Sequence, residues 1–339
     1  MPERDQIIRT FVDGTAWHGA ERSPLAGDAS FRRYDRLRKD DQQAVLMDAP
    51  PPQEDVRPFV QIAKHLTGLG FSAPRILAED ADAGLLILED LGDDTYTKVL
   101  AEARAPEHGL YALAVDVLID LHNRPGGDVI PDSLAPYDAD LLIDEASLLT
   151  DWYLPAVREV DTASNLRQAY VDAWRQVLTP VLISAPTLVL RDYHVDNLIW
   201  LPDRDGVRAC GLLDFQDAVA GPPAYDLMSL LEDARRDIDP SLIGAMLARY
   251  RKAMPEAAWD DFETVYAILA VQRHAKVIGI FTRLCLRDAK PDYLVHIPRV
   301  WRLLESHLGH PALAPVRNWF ETHISTKERG IPKCRVAET

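Results

Sequence analysis

The sequence has no long apolar run. None of its stretches reaches the roughly 18 consecutive apolar residues of a membrane-spanning helix. Its first residues, MPERDQIIRTFVDG, carry charges where a secretory signal peptide has an apolar centre. We therefore expect a cytoplasmic protein without a membrane partner.

Cysteine is also scarce. The chain has three, Cys210, Cys285 and Cys334, which are far apart in the sequence. An odd number at wide spacing predicts neither a disulfide framework nor a zinc site. We expect all three to be reduced and to have structural roles.

Positive charge is in short supply. The chain has 37 Lys and Arg residues against 53 Asp and Glu residues, which gives a formal net charge of −16. This charge repels nucleic-acid phosphates and anionic membrane surfaces, so we expect neither as a partner. An acidic surface could favour a cationic substrate, but acidity also serves solubility, and charge alone does not select the substrate.

What is present indicates a globular protein of two lobes, because 339 residues with an apolar share of 47% can fill two modest cores. Before residue 90, short β-like runs such as QAVLMDA and GLLILEDLG flank one helical stretch, EDVRPFVQIAKHLTGLG. From Thr95 onward, long helical stretches dominate, including FETVYAILAVQRHAKVIGIFTRLCLRD. We predict an α+β fold with a small N-terminal β-sheet lobe (residues 1–92), a larger, mostly helical C-terminal lobe (93–325) and a flexible tail (326–339).

Three polar residues lie close to the ends of two short apolar runs between residues 188 and 217. Asp192 ends the run TLVLRD, Asn197 follows five residues later, and Asp214 belongs to the run ACGLLDF. Each alone is a common turn former. Phosphoryl transfer from ATP needs a carboxylate that orients the acceptor hydroxyl, and oxygen ligands for Mg²⁺. The order and type of the three residues match this requirement, so we predict one site that uses ATP and Mg²⁺.

The runs RDYHVDN, LLDFQDA and GPPAYDL resemble motifs of the aminoglycoside phosphotransferase and choline kinase-like superfamily. The resemblance implies a bilobal protein-kinase-like fold. It implies that Asp192 is the catalytic base and that Asn197 and Asp214 are Mg²⁺ ligands. Asp217 and Asp226 match carboxylates that lie near the metal loop or brace the catalytic loop, and we treat them as supporting residues.

The same resemblance implies that the N-terminal lobe binds the nucleotide. The run LLILEDLG resembles the hinge beside adenine, and the run LAGDASFRRYDRL has a turn where kinase-like folds cover the phosphates. A plain hairpin turn is the alternative for the second run. The predicted nucleotide contacts are the hinge residues and the backbone N–H groups of the turn: Glu89, Asp90, Leu91, Asp28, Ala29 and Ser30.

One residue of the superfamily pattern is missing. The strand QAVLMDAP has Met47 where a phosphate-binding lysine is expected. We predict that an arginine of the preceding strand, Arg32 or Arg33, replaces it. The alternative is a degenerate lobe.

Several runs within residues 20–310 resemble the bacterial N-acetylmuramate/N-acetylglucosamine anomeric kinases, among them GDASFRRY, VLMDAPP and VQRHAKVIGIF. The run VLMD, which has no lysine, resembles the pattern of that family. This resemblance implies ATP-dependent phosphorylation of the sugar's anomeric hydroxyl to the α-1-phosphate, as in peptidoglycan recycling. We expect a monomer and leave a dimer open. An aminoglycoside or choline kinase and a nucleotide-binding pseudokinase are the alternatives. The predicted substrate contacts, each of which could instead be a packed structural side chain, are His194, Arg273, Arg283 and Arg287.

Overall fold

The structure is a computed structural model that describes residues 2–25, 32–255 and 261–333. Its strands are β1 (Glu21–Pro24), β2 (Arg33–Lys39), β3 (Gln42–Asp48), β4 (Ile76–Asp80), β5 (Leu85–Glu89), β6 (Thr187–Val189), β7 (Leu198–Trp200), β8 (Cys210–Leu212) and β9 (Val219–Gly221). Its helices are α1 (Pro2–Asp13), α2 (Arg57–Gly68), α3 (Tyr96–Ala101), α4 (Glu107–His122), α5 (Gly126–Val129), α6 (Ala139–Leu148), α7 (Leu154–Arg158), α8 (Ser164–Val177), α9 (Thr179–Ile183), α10 (Ala224–Leu231), α11 (Pro240–Ala253), α12 (Phe262–Asp288), α13 (Ile297–Leu308) and α14 (Ala314–His323). A π-helical turn, Leu149–Tyr153, joins α6 to α7.

Residue contacts divide the chain into two compact units. The first contains Met1–Val117 and Val195–Ala218, and the second contains Leu118–His194 and Val219–Thr339. The antiparallel N-terminal sheet and the helix-rich later part confirm the predicted α+β fold class. Within the residues that the structure describes, no helix has the length and apolar character needed to cross a membrane.

The first unit is built on a five-stranded antiparallel sheet of order β1-β2-β3-β5-β4. The hairpin between β2 and β3 turns at Asp40, whose φ of 52° is a left-handed conformation that Asp tolerates. Side chains alternate between the two faces of each strand. One face packs in a core with α1, and its buried members are Ile8, Val12, Trp17, Leu37, Ala44, Leu46, Leu85 and Ile87. The opposite face is therefore left to line a site.

Helices α2 and α12 match stretches that the sequence predicts to be helical. α2 lies within the predicted helical stretch EDVRPFVQIAKHLTGLG, buries Phe59, Ile62 and Leu66, and ends at Gly68. α12 covers the whole stretch that the sequence marks as helical. Both predictions are confirmed, because a 3.6-residue period of apolar side chains is a strong local signal.

The second unit is organised around α12, which packs against α6, α10 and α13. Most side chains of α12 are buried. At Gly279, an added Cβ would lie 2.3 Å from the carbonyl carbon of Leu148, so glycine permits this close approach of α12 to α6. α12 thereby brings several charged residues into the interior of the unit.

The segment that begins at residue 326 is held by contacts within the second unit. The hydroxyl of Tyr153 donates to the carbonyl oxygen of Glu328 (2.5 Å) and accepts from the backbone N–H of Gly330 (3.0 Å). Arg158 also pairs with the Glu328 carboxylate (2.7 Å). These contacts involve residues 328 and 330 of the segment predicted to be a flexible tail, which stays a prediction; residues 334–339 lie outside the described residues.

The cysteines follow the expectation in part. Cys210 is buried and forms no disulfide, as predicted. Cys285 is disulfide-bonded, so the expectation that it is reduced is wrong. Separation along the sequence does not limit which thiols the fold brings together, and spacing alone therefore could not reveal this bond. Cys334 lies outside the described residues.

Candidate active site

A cavity of about 340 Å³ lies in the first unit, on the sheet face opposite α1. Alternation along the strands determines which side chains reach it: Tyr34 and Arg36 from β2, Val45 and Met47 from β3, and Leu88 from β5. Its mouth contains the predicted hinge and metal residues Glu89, Asp90, Leu91, Asn197 and Asp214. Apolar walls with a few polar groups at one edge are typical of a small-molecule site.

The hinge follows β5 directly. Glu89 accepts hydrogen bonds from Arg204 (2.8 Å) and Arg75 (3.1 Å), which turns its carboxylate toward these two arginines. Asp90 accepts from the backbone N–H of Gly92 (2.8 Å), whose φ of 82° suits glycine. The structure therefore brings Glu89, Asp90 and Leu91 to one edge of the cavity, as the sequence predicts for nucleotide contacts.

Arg36 of β2 links the sheet to the hinge through hydrogen bonds to two aspartates. Its guanidinium donates to both carboxylate oxygens of Asp90 (2.6 and 3.3 Å) and to both of Asp93 (2.9 and 2.7 Å). The hydrogen bonds from Arg36 lower the pKa of Asp93, and the two aspartates raise the pKa of Arg36. The side chains of Arg36 and Asp90 are only 10% and 6% exposed, whereas that of Asp93 is 58% exposed. The bond to Asp90 is therefore the one that matters for stability.

Arg36→Gln is expected to lower the free energy of unfolding by about 3 kcal/mol, because it leaves the buried Asp90 carboxylate without its cation. Urea denaturation measures this change. The matched control is Arg57→Gln, because the Arg57 side chain is 60% exposed and pairs with exposed Asp55 and Asp82. The control substitution should lower the free energy of unfolding by less than about 1 kcal/mol. Equal costs for both variants would contradict the importance of the buried pair.

Met47 does line the cavity, so the position predicted for a lysine faces the site. Of the two predicted replacements, Arg32 is the one near the metal residues. Its side chain is 12% exposed, its Nε lies 3.1 Å from Glu54, and its Nη1 lies 3.9 Å from Asp214. Arg33 is exposed on β2. The predicted phosphate donors Asp28, Ala29 and Ser30 lie outside the described residues.

Asn197 and Asp214 come together at the mouth of the cavity. Asn197 ends a 3-10 turn before β7, and Asp214 follows β8 with a left-handed φ of 56°. The Asn197 Nδ2 lies 3.4 Å from one Asp214 carboxylate oxygen, and Gln216 donates to the other (2.8 Å). An amide and a carboxylate are oxygen ligands that Mg²⁺ accepts, with its other positions left to phosphate and water, so this pair fits the ion. Asp217 is exposed in the next turn.

Asp192 belongs to the second unit, where it follows β6 beneath a group of cations. The Arg273 Nη2 lies 3.6 Å from its carboxylate. Burial would raise the pKa of Asp192, but the positive charges of Lys276 and Arg273, and then those of His194 and Arg191, lower it to about 2. Asp192 is therefore ionised at neutral pH and can accept a hydrogen bond.

Asp226, on α10, holds the backbone just before Asp192. Its two oxygens accept from the N–H groups of Leu190 (2.6 Å) and Arg191 (2.9 Å). Complete burial raises the pKa of Asp226 to about 7, although these hydrogen bonds act in the opposite direction. These hydrogen bonds hold the backbone of Leu190 and Arg191, and the supporting role of Asp226 stays a prediction.

The four predicted substrate residues occupy different environments. Arg273 is buried beside Asp192. His194 is buried 3.5 Å from Arg235, and burial is the main reason why its pKa is lowered to about 4. Arg283 is half-buried, whereas Arg287 is exposed and pairs with its neighbour Asp288 (2.8 Å). Arg273 is thus the only one of the three arginines with a described contact to Asp192.

Sequence reasoning missed Glu145 on α6, a buried carboxylate bonded to Lys276 and Arg191. A signal was available in the helical pattern. Leu142, Ile143 and Ala146 of the same helix are buried, so the period of α6 places Glu145 on its inner face. A charged residue at such a position predicts a buried ion pair.

Comparison with known proteins identifies relatives along nearly the whole chain. The model of the phosphotransferase enzyme family matches residues 21–261. An N-acetylmuramate/N-acetylglucosamine kinase from Caulobacter vibrioides is 35% identical, over 96% of this chain and 98% of the relative. A protein of the same name from Pseudomonas aeruginosa is 40% identical, over 87% of this chain and 86% of the relative.

Solved structures of other members have the same fold. Choline kinase LicA from Streptococcus pneumoniae aligns with a TM-score of 0.61 at 13% identity, over 92% of this chain and 99% of that chain. ADP-bound aminoglycoside phosphotransferase APH(2'')-Ib aligns with a TM-score of 0.56 at 15% identity, over 90% and 97%. These alignments confirm the predicted bilobal protein-kinase-like fold. The chain belongs to the phosphotransferase enzyme family, among relatives named N-acetylmuramate/N-acetylglucosamine kinase.

Proposed function

We propose that this protein is a kinase that uses ATP and Mg²⁺ to phosphorylate the anomeric hydroxyl of N-acetylmuramate and N-acetylglucosamine. The product is the sugar α-1-phosphate, as in peptidoglycan recycling. The observation that carries the proposal is an identity of 35–40% to four relatives of that name, over 81–96% of this chain. The cytoplasmic location and the monomeric state expected from the sequence are part of the proposal.

Asp192 is the proposed catalytic base. An anomeric hydroxyl is more acidic than an ordinary alcohol, so a carboxylate of low pKa is sufficient if it orients the hydroxyl well. The lowered pKa of Asp192 keeps the carboxylate ionised, so that it accepts a hydrogen bond from the anomeric hydroxyl. It then takes the hydroxyl proton as the sugar oxygen bonds to the γ-phosphorus of ATP, while the bond from that phosphorus to the β,γ-bridging oxygen breaks and ADP leaves.

Asn197 and Asp214 are the proposed Mg²⁺ ligands. These two side chains would hold the ion, which would supply positive charge to offset the negative charge of the phosphates during transfer. Arg32 is the preferred substitute for the missing lysine, because it approaches Asp214 from the sheet side of the same unit. Glu89, Asp90 and Leu91 are proposed to border the adenine, and Asp28, Ala29 and Ser30 to cover the phosphates.

Recognition of N-acetylmuramate requires a partner for its lactyl carboxylate, and an arginine can bind a carboxylate through two hydrogen bonds. Arg283 is the preferred candidate. Its buried Nε has no hydrogen-bond partner in the described part of the chain, whereas Arg287 is already paired with Asp288. The aminoglycoside and choline kinase alternative is not favoured, because the similarity to those structures, at 11–16% identity, extends only to the fold.

One assay tests the proposed function. ADP release is measured with Mg²⁺ and ATP against N-acetylmuramate, N-acetylglucosamine, kanamycin and choline. We expect stimulation by both sugars and none by kanamycin or choline. Stimulation by kanamycin or choline alone would replace the proposed substrate, and no stimulation by any acceptor would favour the pseudokinase.

A further inference from the structure

Glu145 is the centre of a buried polar cluster in the second unit. Its side chain is 8% exposed. One carboxylate oxygen accepts from the Lys276 Nζ (2.8 Å) and from the Arg191 guanidinium. The other accepts from the Gln272 amide (3.2 Å) and from the Tyr137 hydroxyl. Four donors satisfy the approximately four lone-pair positions of an ionised carboxylate.

The contact to Arg191 is notable because Arg191 directly precedes Asp192. Its φ is 69°, a left-handed conformation that costs a residue other than glycine about 1 kcal/mol or more and persists only where neighbouring contacts enforce it. Three contacts do so here. The backbone N–H of Arg191 donates to Asp226, its carbonyl oxygen accepts from Arg273 (3.0 Å), and its side chain donates to Glu145.

The cluster also determines which cations are available to Asp192. The charges of Lys276, Arg273, His194 and Arg191 all lower the pKa of Asp192, and the Asp192 carboxylate in turn contributes to the raised pKa of Asp226. Glu145 engages Lys276 and Arg191. Both cations also act on the charge of Asp192. Without the Glu145 carboxylate, an ion pair with either cation would draw Asp192 away from a substrate hydroxyl.

We propose that Glu145 is a positioning residue for the transfer reaction: it holds the Arg191 turn and keeps Lys276 and Arg191 from pairing with Asp192. The inference rests on the proposed role of Asp192 as the base. It assigns no contact between Glu145 and the substrate. Its effect should therefore be on kcat rather than on the KM of ATP or sugar.

The test compares Glu145→Gln with Glu232→Gln. Glu232 is a matched control, because it is a buried glutamate that binds basic residues, including His274 of the same helix α12 (2.8 Å) and His307 (2.8 Å). Both variants should lose stability. Only Glu145→Gln should lower kcat per folded molecule, by about 10²-fold, because a displacement of about 1 Å at a reacting group has an effect of that size. Both KM values should change less than about threefold.

A double variant separates positioning from simple charge balance. Glu145→Gln with Lys276→Met removes both members of the buried pair and should regain stability. The kcat value should stay low, because the Arg191 guanidinium still lacks its anionic acceptor, and a neutral amide oxygen holds it less strongly. Full recovery of kcat would overturn the inference, as would an equal loss of kcat in Glu232→Gln.

Hydrogen exchange supplies a readout that needs no substrate. The N–H of Arg191 is bonded to Asp226, and that of Asp192 to the carbonyl oxygen of Leu190 (2.9 Å). Both amides should exchange faster in Glu145→Gln and not in Glu232→Gln. If the wild-type protein phosphorylates neither sugar, the proposed function fails. The exchange rates of the two amides still test whether Glu145 holds the Arg191 turn. Unchanged exchange in Glu145→Gln would overturn it.

Discussion

Asp192→Asn is expected to lower kcat by about 10³-fold or more while the protein folds normally, because asparagine keeps the size of the side chain but cannot take the hydroxyl proton. The Asp192 carboxylate also lies 3.6 Å from the Arg273 guanidinium, so the substitution leaves this cation without the negative charge beside it. Steady-state ADP release with N-acetylmuramate and N-acetylglucosamine measures the loss. Thermal unfolding monitors the fold.

The control for this substitution is Asp205→Asn. Asp205 is another aspartate of the same region, and its side chain is 100% exposed. It should retain full activity and stability. A near-normal kcat in Asp192→Asn would refute the assignment of the base. If Asp192→Asn unfolds, Asp192→Glu tests the assignment of the base instead. This variant keeps the negative charge but displaces the carboxylate, and it should also lower kcat.

Asp214→Asn is expected to lower kcat by about 10³-fold and to raise the Mg²⁺ concentration needed for half-maximal activity. A neutral amide binds the ion less strongly than a carboxylate, and several kcal/mol of charge stabilisation during transfer are weakened with it. The Gln216 and Asn197 side chains near Asp214 have polar atoms that can rearrange to serve an amide, so the fold should remain.

A Mg²⁺ titration at constant ATP distinguishes this effect from a general loss of activity. Excess Mg²⁺ should restore part of the activity of Asp214→Asn and none of that of Asp192→Asn, because only the first substitution weakens the metal site. The same Mg²⁺ dependence in Asp214→Asn and in the wild-type protein would exclude Asp214 as a ligand.

Much of the fold could be predicted because its signals are local. The period of α12 extends over 27 residues, and α2 lies within the stretch that was predicted to be helical. The short strands were located less sharply. β7 lies between the runs TLVLRD and ACGLLDF. It was not predicted as a strand, because three residues are too few to display an alternating pattern.

The candidate site could be predicted where it depends on residue type and order. The pair of Asn197 and Asp214 was predicted from spacing, and the structure brings the two side chains together. The choice between Arg32 and Arg33 could not be made, since neighbours on a strand point to opposite faces and the start of β2 decides which face each one takes. Arg36 could not be paired with Asp90 for a similar reason, as 54 residues separate them.

By itself, the sequence determined the fold class and the family of the chain, and it predicted polar residues of the types that a phosphotransferase needs. These depend on short periods and on motifs within single loops, which remain readable without coordinates. Only the tertiary structure decided which cations surround Asp192, that Glu145 engages two of them, and that Cys285 forms a disulfide. Such pairings join residues that are far apart in the chain, and packing of α6, α10 and α12 around the turn at Arg191 and Asp192 selects them among many possible partners.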